Sequence, residues 1–330
     1  MTFRDMLFGR KKREEANPGL SPAEAPPPLD RSTGTIGKYQ IVEKIGSGGF
    51  GTVYKAWDHH IRRNVAIKTC EVGSKDVRSR FFREAQIAGG LQHPNITLVY
   101  EFGFEGDVPY MVQEFLSGED LDQMIRQGPR LSLQDKLKIL IGIAFGLEYA
   151  HKAGVMHRDI KPANVRILDT QSVKIMDFGI AKSLDPETDI TLTGIKVGSS
   201  SYMSPEQIGG DSVDFRTDIF SFGILAYELL SSRKPFRNDD FFLLLEQIVK
   251  EEPTPLVELA PDLPPSLVVL VERAMRKKPE ERFQSARDLR DALVAVEREV
   301  APAEAAIKLM LEAAGLSDGE PTGPRIEKLQ

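Results

Sequence analysis

The 330-residue chain has one cysteine, Cys70, and five histidines. A lone thiol can form neither an internal disulfide nor a cysteine metal site, so nothing calls for an oxidising compartment and a cytoplasmic setting is expected. The histidines do not gather into a ligand set either. His59 and His60 are adjacent in a turn, His93 precedes Pro94, and His151 closes a helical stretch where positive charge is comfortable. Positive charge is not in excess: the formal net charge is -6, which offers no basic field for nucleic-acid phosphates and excludes nucleic acid as an expected partner. No apolar run approaches the ~20 residues that span a bilayer, and no apolar signal core with a cleavage site follows the N-terminus, so no transmembrane segment is expected.

What remains, 41% apolar and 28% charged residues, is a globular composition in a chain long enough for two lobes and terminal tails. Residues 1–36 pass from an apolar and basic head, TFRDMLFGRKKR, to a Pro- and Ala-rich stretch that cannot bury a core. They read as a flexible tail, the head being too short for stable membrane anchoring. From Tyr39, the runs YQIVEKI, TVYKAWD, NVAIKTC, TLVYEFGF and VPYMVQEF predict five antiparallel strands, with one helix over Ser74–Leu91 between the third and fourth. Helical spacing then dominates to about residue 298, in stretches such as LQDKLKILIGIAFGLEYAHKAG and FRTDIFSFGILAYELLSS. The expected fold class is α+β: a small lobe over about 37–114 and a larger, mainly helical lobe over about 115–298. Residues 299–330 are expected to hold one further helix, AEAAIKLMLEAAGL, and a disordered end.

Gly46, Gly48 and Gly51 form G-x-G-x-x-G, a spacing shared with dinucleotide-binding proteins. In those proteins the glycines open a helix. Here GTVYKAWD continues as a strand, which places the glycines in a hairpin whose backbone can close over phosphates. Lys68 follows seventeen residues after Gly51, at the end of the apolar run Val65-Ala66-Ile67. An ammonium there needs a negative partner, and Glu84 in FFREAQIA is the candidate, since Phe81, Phe82 and Ile87 mark a buried helix face. The densest signal is His157-Arg158-Asp159-Ile160-Lys161-Pro162-Ala163-Asn164, with Asp177-Phe178-Gly179 beginning thirteen residues beyond Asn164. Phosphoryl transfer needs an acceptor for the hydroxyl proton, oxygen ligands for Mg²⁺, and positive charge beside the migrating group. Asp159, the pair Asn164 and Asp177, and Lys161 supply these in that order.

On these motifs the stretch from about Tyr39 to Val296 resembles the eukaryotic-type (Hanks-type) protein kinase family, especially its bacterial Ser/Thr members. The resemblance implies a bilobal fold with ATP in the cleft, chelated with Mg²⁺ or Mn²⁺. Nucleotide contacts would come from Gly46, Ser47, Gly48, Gly49, Phe50 and Gly51, from Val53, Ala66 and Lys68 with Glu84, and from a hinge at Glu114 to Leu116 guarded by Gln113. Lys161, two residues after Asp159, is the Ser/Thr pattern. Glu206 in Ser204-Pro205-Glu206 should pair with Arg282, Asp218 should receive N–H bonds from the catalytic loop, and His157 and Phe178 read as packing residues. Two positions depart from the family. Arg166 stands where an apolar side chain usually underlies the adenine, and would either stack on the base or snorkel outward and loosen the pocket. Ser199 stands where a Thr is usual.

The resemblance implies a protein Ser/Thr kinase acting on protein substrates. The rival reading, a pseudokinase that binds without transferring, is disfavoured because Lys68, Asp159, Asn164 and Asp177 are all present. Small-molecule kinases lack the Ser-Pro-Glu segment and its Arg partner. Arg158 beside Asp159 implies a phosphate acceptor on the activation segment. Thr191 and Thr193 are the expected autophosphorylation sites, one molecule acting on another in a homodimer.

Overall fold

The computed structural model describes residues 34–48, 51–70, 75–128, 131–178 and 200–313. The small lobe is built on an antiparallel sheet of β1 (Thr35–Ile36), β2 (Tyr39–Gly48), β3 (Gly51–Asp58), β4 (Arg63–Thr69), β5 (Val99–Glu105) and β6 (Val108–Glu114), in the order β1-β2-β3-β4-β6-β5. Five of these strands are the expected ones. The sixth is β1, which lies in the stretch expected to be tail and pairs Thr35 with Gln40 and Ile36 with Tyr39. Ile36 is buried with Tyr39, Ala56, Val65, Ile67, Tyr110 and Val112, so two residues suffice to fasten this edge.

The opposite face of the sheet is covered by α1 (Lys75–Gly89). Phe81 and Ala85, one helical turn apart, are buried with Cys70 and Met111. Phe82 departs from expectation. It is 45% exposed, with its ring nearly perpendicular to that of Phe102, because adjacent helical residues point about 100° apart.

In the large lobe, α2 (Leu121–Gln127) is followed by α3 (Leu133–Lys152), whose first turn is capped by Ser132 accepting from the Asp135 N–H. After α4 (Pro205–Gly209) comes α5 (Arg216–Ser231), which is buried continuously from Thr217 to Leu230, as its unbroken apolar character requires. Then follow α6 (Phe241–Lys250), α7 (Leu256–Leu259), α8 (Pro265–Ala274) and α9 (Ala286–Ala313). Leu289, Leu293, Val296 and Val300 bury one face of α9, which packs on α3. Among the described residues no separate helix follows Ala301: α9 runs on through Pro302, where the missing N–H removes one i→i−4 bond without ending the helix.

A second sheet of β7 (Gly118–Asp120), β8 (Val165–Leu168) and β9 (Val173–Ile175) lies beneath the cleft. The main chain stitches it to the small lobe: the Ile175 N–H donates to the Asn95 carbonyl at 2.8 Å, and the Thr97 N–H to the Ile175 carbonyl at 3.0 Å.

Candidate active site

The glycine hairpin joins β2 to β3, with Gly46 opposite Val53, Ser47 opposite Thr52 and Gly48 opposite Gly51. Its glycines are required for different reasons. Gly51 has φ +153°, and a Cβ there would lie 1.9 Å from the Thr69 carbonyl oxygen, so its own sheet forbids a side chain. Gly46 meets nothing closer than the Val53 Cβ at 3.9 Å, so protein packing leaves room above it. Gly49 and Phe50, at the tip, lie outside the described residues.

Strand register assembles the rest of the roof: Val53 faces Lys68 across β3 and β4, and Ala66 faces Gln113 across β4 and β6. The Lys68 ammonium donates to Glu84 Oε1 at 2.8 Å and to Asp177 Oδ1 at 3.0 Å, joining α1 to the start of the activation segment. Burial opposes charge on Lys68, but the two carboxylates outweigh it and hold the ammonium well above the usual lysine range. Burial pushes Glu84 up. The Lys68 charge pulls Asp177 down, so Asp177, which is open to the cleft, is ionised at neutral pH.

The catalytic loop is held from below by Asp218 on α5. This fully buried carboxylate accepts the N–H groups of His157 at 2.8 Å and Arg158 at 2.7 Å, as expected. Arg158 and Asp177 have φ of 63° and 49°, conformations that non-glycine residues adopt only when their surroundings impose them. His157 is fully buried, and burial lowers its pKa. Its Nδ1 accepts from the Asp159 N–H at 3.2 Å and its Nε2 donates to the Met176 carbonyl at 2.9 Å, fixing one neutral tautomer. The ring packs on Phe178 with centroids 4.6 Å apart, so both residues do the structural work expected of them. Lys161 Nζ donates to Asp159 Oδ2 at 2.5 Å. Asn164 Nδ2 donates to the Asp159 carbonyl at 2.8 Å and to Asp159 Oδ2 at 3.0 Å.

At the hinge, Leu116 is 8% exposed and the Glu114 N–H donates to the Leu98 carbonyl at 2.9 Å. Arg166 is tied to the hinge side of the cleft instead of lying loose. Its Nε donates to the Leu116 carbonyl at 3.2 Å, Nη2 to the Gly118 carbonyl at 2.7 Å and Nη1 to Asp120 Oδ1 at 2.7 Å. The guanidinium is not free, because three hinge-side acceptors lie within its fork.

Glu206 and Arg282 form a two-armed ion pair at 2.7 and 2.8 Å, with Arg282 wholly buried. The remaining Arg282 donors go to the carbonyls of Arg276, Lys277 and Arg216. Thr191, Thr193 and Ser199 lie outside the described residues.

Three further contacts were not foreseen. His151 is no mere helix-end charge: Nε2 donates to Asp218 Oδ2 at 2.8 Å, and its ring lies 4.8 Å from that of Phe215. Lys174, in a three-residue strand, is buried and pairs with Glu114 Oε2 at 2.8 Å behind the hinge. The Lys55 ammonium sits 4.7 Å from the centre of the Phe115 ring. An isolated His at a helix end, or a Lys in a short strand, reads as solvent-facing, so no local pattern signals these contacts.

A glycine hairpin over a Lys–Glu–Asp chain, facing an Asp–Lys–Asn loop across a hinge, defines the architecture of a protein kinase. The protein kinase domain family matches residues 39–293, and the chain belongs to that family. Over 262 residues it is 40% identical to a probable serine/threonine-protein kinase of Streptomyces coelicolor, an alignment covering 77% of this chain and 39% of that protein. It is 36% identical to the serine/threonine-protein kinase PknB of Mycobacterium leprae, covering 78% of this chain and 43% of PknB. To the serine/threonine-protein kinase PknA of Mycobacterium tuberculosis it is 37% identical, covering 79% and 61%. The chain thus spans less than two thirds of the length of these relatives. Among the described residues no helix is long and apolar enough to cross a membrane.

Proposed function

We propose that this chain transfers the γ-phosphoryl group of ATP to Ser and Thr hydroxyls of protein substrates, in the cytoplasm, and to its own activation segment. The observation that carries the reading is the continuous chain from Glu84 through Lys68 to Asp177, set opposite Asp159, Lys161 and Asn164. ATP phosphates would lie between the Gly46–Gly51 hairpin and Lys68, and the adenine between Val53, Ala66, Gln113 and the Glu114–Leu116 hinge. Asp159 would accept the hydroxyl proton of the substrate while Lys161 holds the γ-phosphate.

The residues present suit a hard divalent cation. Asp177 is an ionised carboxylate open to the cleft, and the Asn164 nitrogen is committed to Asp159, which leaves its amide oxygen as the ligand atom. Among the described residues no three His, Cys, Asp or Glu side chains form a metal site alone, which fits a site completed by phosphates and water. Mg²⁺ or Mn²⁺ there would neutralise phosphate charge during transfer. Arg158 motivates Thr191 and Thr193 as acceptors, phosphorylated by a second copy in a transient homodimer and ordering the segment.

Incubating the purified chain with labelled ATP and Mg²⁺ or Mn²⁺, beside Asp159→Asn, tests this directly. Label on Ser and Thr of the parent, Thr191 and Thr193 included, and none on the variant is expected. ATP binding without transfer by the parent would reassign the chain as a pseudokinase.

A further inference from the structure

Arg166 stands out because its surroundings are arranged to receive it. One guanidinium joins two main-chain carbonyls, those of Leu116 and Gly118, to the Asp120 carboxylate, each through a different nitrogen. Asp120 faces Arg166 directly in the β7–β8 register. It also occupies the N-cap of α2 with extended dihedrals (φ -71°, ψ 139°), yet its side chain makes no capping bond and turns to Arg166 instead. Gly118 has φ +127°, and a Cβ there would lie 2.0 Å from the Ile167 carbonyl oxygen. Hinge and β8 therefore approach more closely than any side chain at 118 permits, and Arg166 closes the contact from the other side.

We propose that Arg166 is a positioning residue of the nucleotide site: a polar clamp that fixes the large-lobe end of the hinge through the Leu116 and Gly118 carbonyls and Asp120. The proposal rests on the hinge binding ATP, as read above. A hinge that recognises adenine through its backbone binds well only when those groups are already placed, and any freedom returned to Leu116 is an ordering cost at each binding event. The clamp acts on affinity, since none of its bonds reaches the phosphates or Asp159. It also requires a planar fork. A lysine carries the same charge but cannot meet three acceptors spread around one plane.

The test uses the full chain and three variants: Arg166→Leu, Arg166→Lys and Asp120→Asn. Steady-state ADP release gives KM for ATP and kcat, calorimetry gives ATP–Mg²⁺ affinity, and thermal unfolding without nucleotide reports the fold. Both Arg166 variants should raise KM roughly tenfold, the size of one charge-assisted hydrogen bond. Their kcat should fall much less, and Asp120→Asn should follow with a smaller rise in KM. An Arg166→Lys enzyme with the parental KM would overturn the clamp in favour of simple charge. Unchanged KM in both Arg166 variants with a lowered unfolding temperature would overturn it in favour of a fold staple. A parent that neither binds nor turns over ATP would remove the functional reading itself, and the clamp with it.

Discussion

Replacing Arg282 by Ala isolates the energetics of the ion pair that ends the activation segment. The guanidinium is fully buried, and all of its donors are used: two on Glu206 and three on the carbonyls of Arg276, Lys277 and Arg216. Truncation leaves the Glu206 carboxylate, buried beside Thr217, without a counter-charge, and orphans three main-chain acceptors. Breaking such a pair from one side costs about 3–5 kcal/mol, a large share of the ~5–15 kcal/mol that holds a domain folded. At about 2–4 °C per kcal/mol for a domain of this size, the unfolding midpoint should drop by roughly 10 °C. Glu206→Ala alone should cost comparably. The double variant should cost clearly less than the sum, because removing both charges leaves no uncompensated ion.

The pH dependence of this difference has a definite sign. Burial pushes Glu206 up, but its hydrogen bonds from Arg282 and the Arg282 charge more than offset that, and the carboxyl sits below the usual glutamate range in the folded chain. Its contribution is therefore complete above the unfolded-state value of about 4.3 and is lost as pH falls through the folded value. Thermal unfolding of parent and Arg282→Ala should show a constant gap near neutrality that narrows at acid pH. A loss below about 1 kcal/mol, or strict additivity in the double variant, would refute the assignment of a buried, mutually dependent pair.

Lys68→Met and Asp177→Asn should each lower phosphotransfer by orders of magnitude while circular dichroism stays parental, since the proposed function sets both residues on phosphates or their metal; near-parental turnover would dismiss the assignment. Gln113→Ala or Gln113→Gly should admit ATP-competitive compounds with bulk behind the adenine, and equal inhibition of parent and variants would count against Gln113 as the gate. Gly51→Ala should destabilise the small lobe by roughly 1–3 kcal/mol through its clash with the Thr69 carbonyl, whereas Gly46→Ala should leave unfolding unchanged and weaken ATP binding; equal unfolding curves for both would contradict the division of roles.

What the sequence discloses depends on whether an interaction joins side chains or joins a side chain to the main chain. Lys68 with Glu84 is legible because an ammonium at the end of an apolar run demands a partner of opposite sign that can be sought elsewhere in the chain, whereas Glu206 with Arg282, both in polar stretches, follows only from the family resemblance. Asp218 is legible as Lys68 is, as a charge set in an apolar helix. Arg166 is not, since two of its three acceptors are peptide carbonyls, which every residue carries and no residue advertises. Lys174 and His151 fail differently: each has a carboxylate partner, but both lie where exposure is the ordinary expectation, Lys174 in a three-residue strand and His151 in the last turn of α3. The two-residue β1 and three-residue β7 are too short to show a period, and exist because Tyr39 and Leu168 present main-chain partners in register. The hinge is thus where sequence reading is weakest, its placement resting on main-chain acceptors at Leu116 and Gly118, on Gly118 at a positive φ and on ion pairs of Glu114 and Asp120.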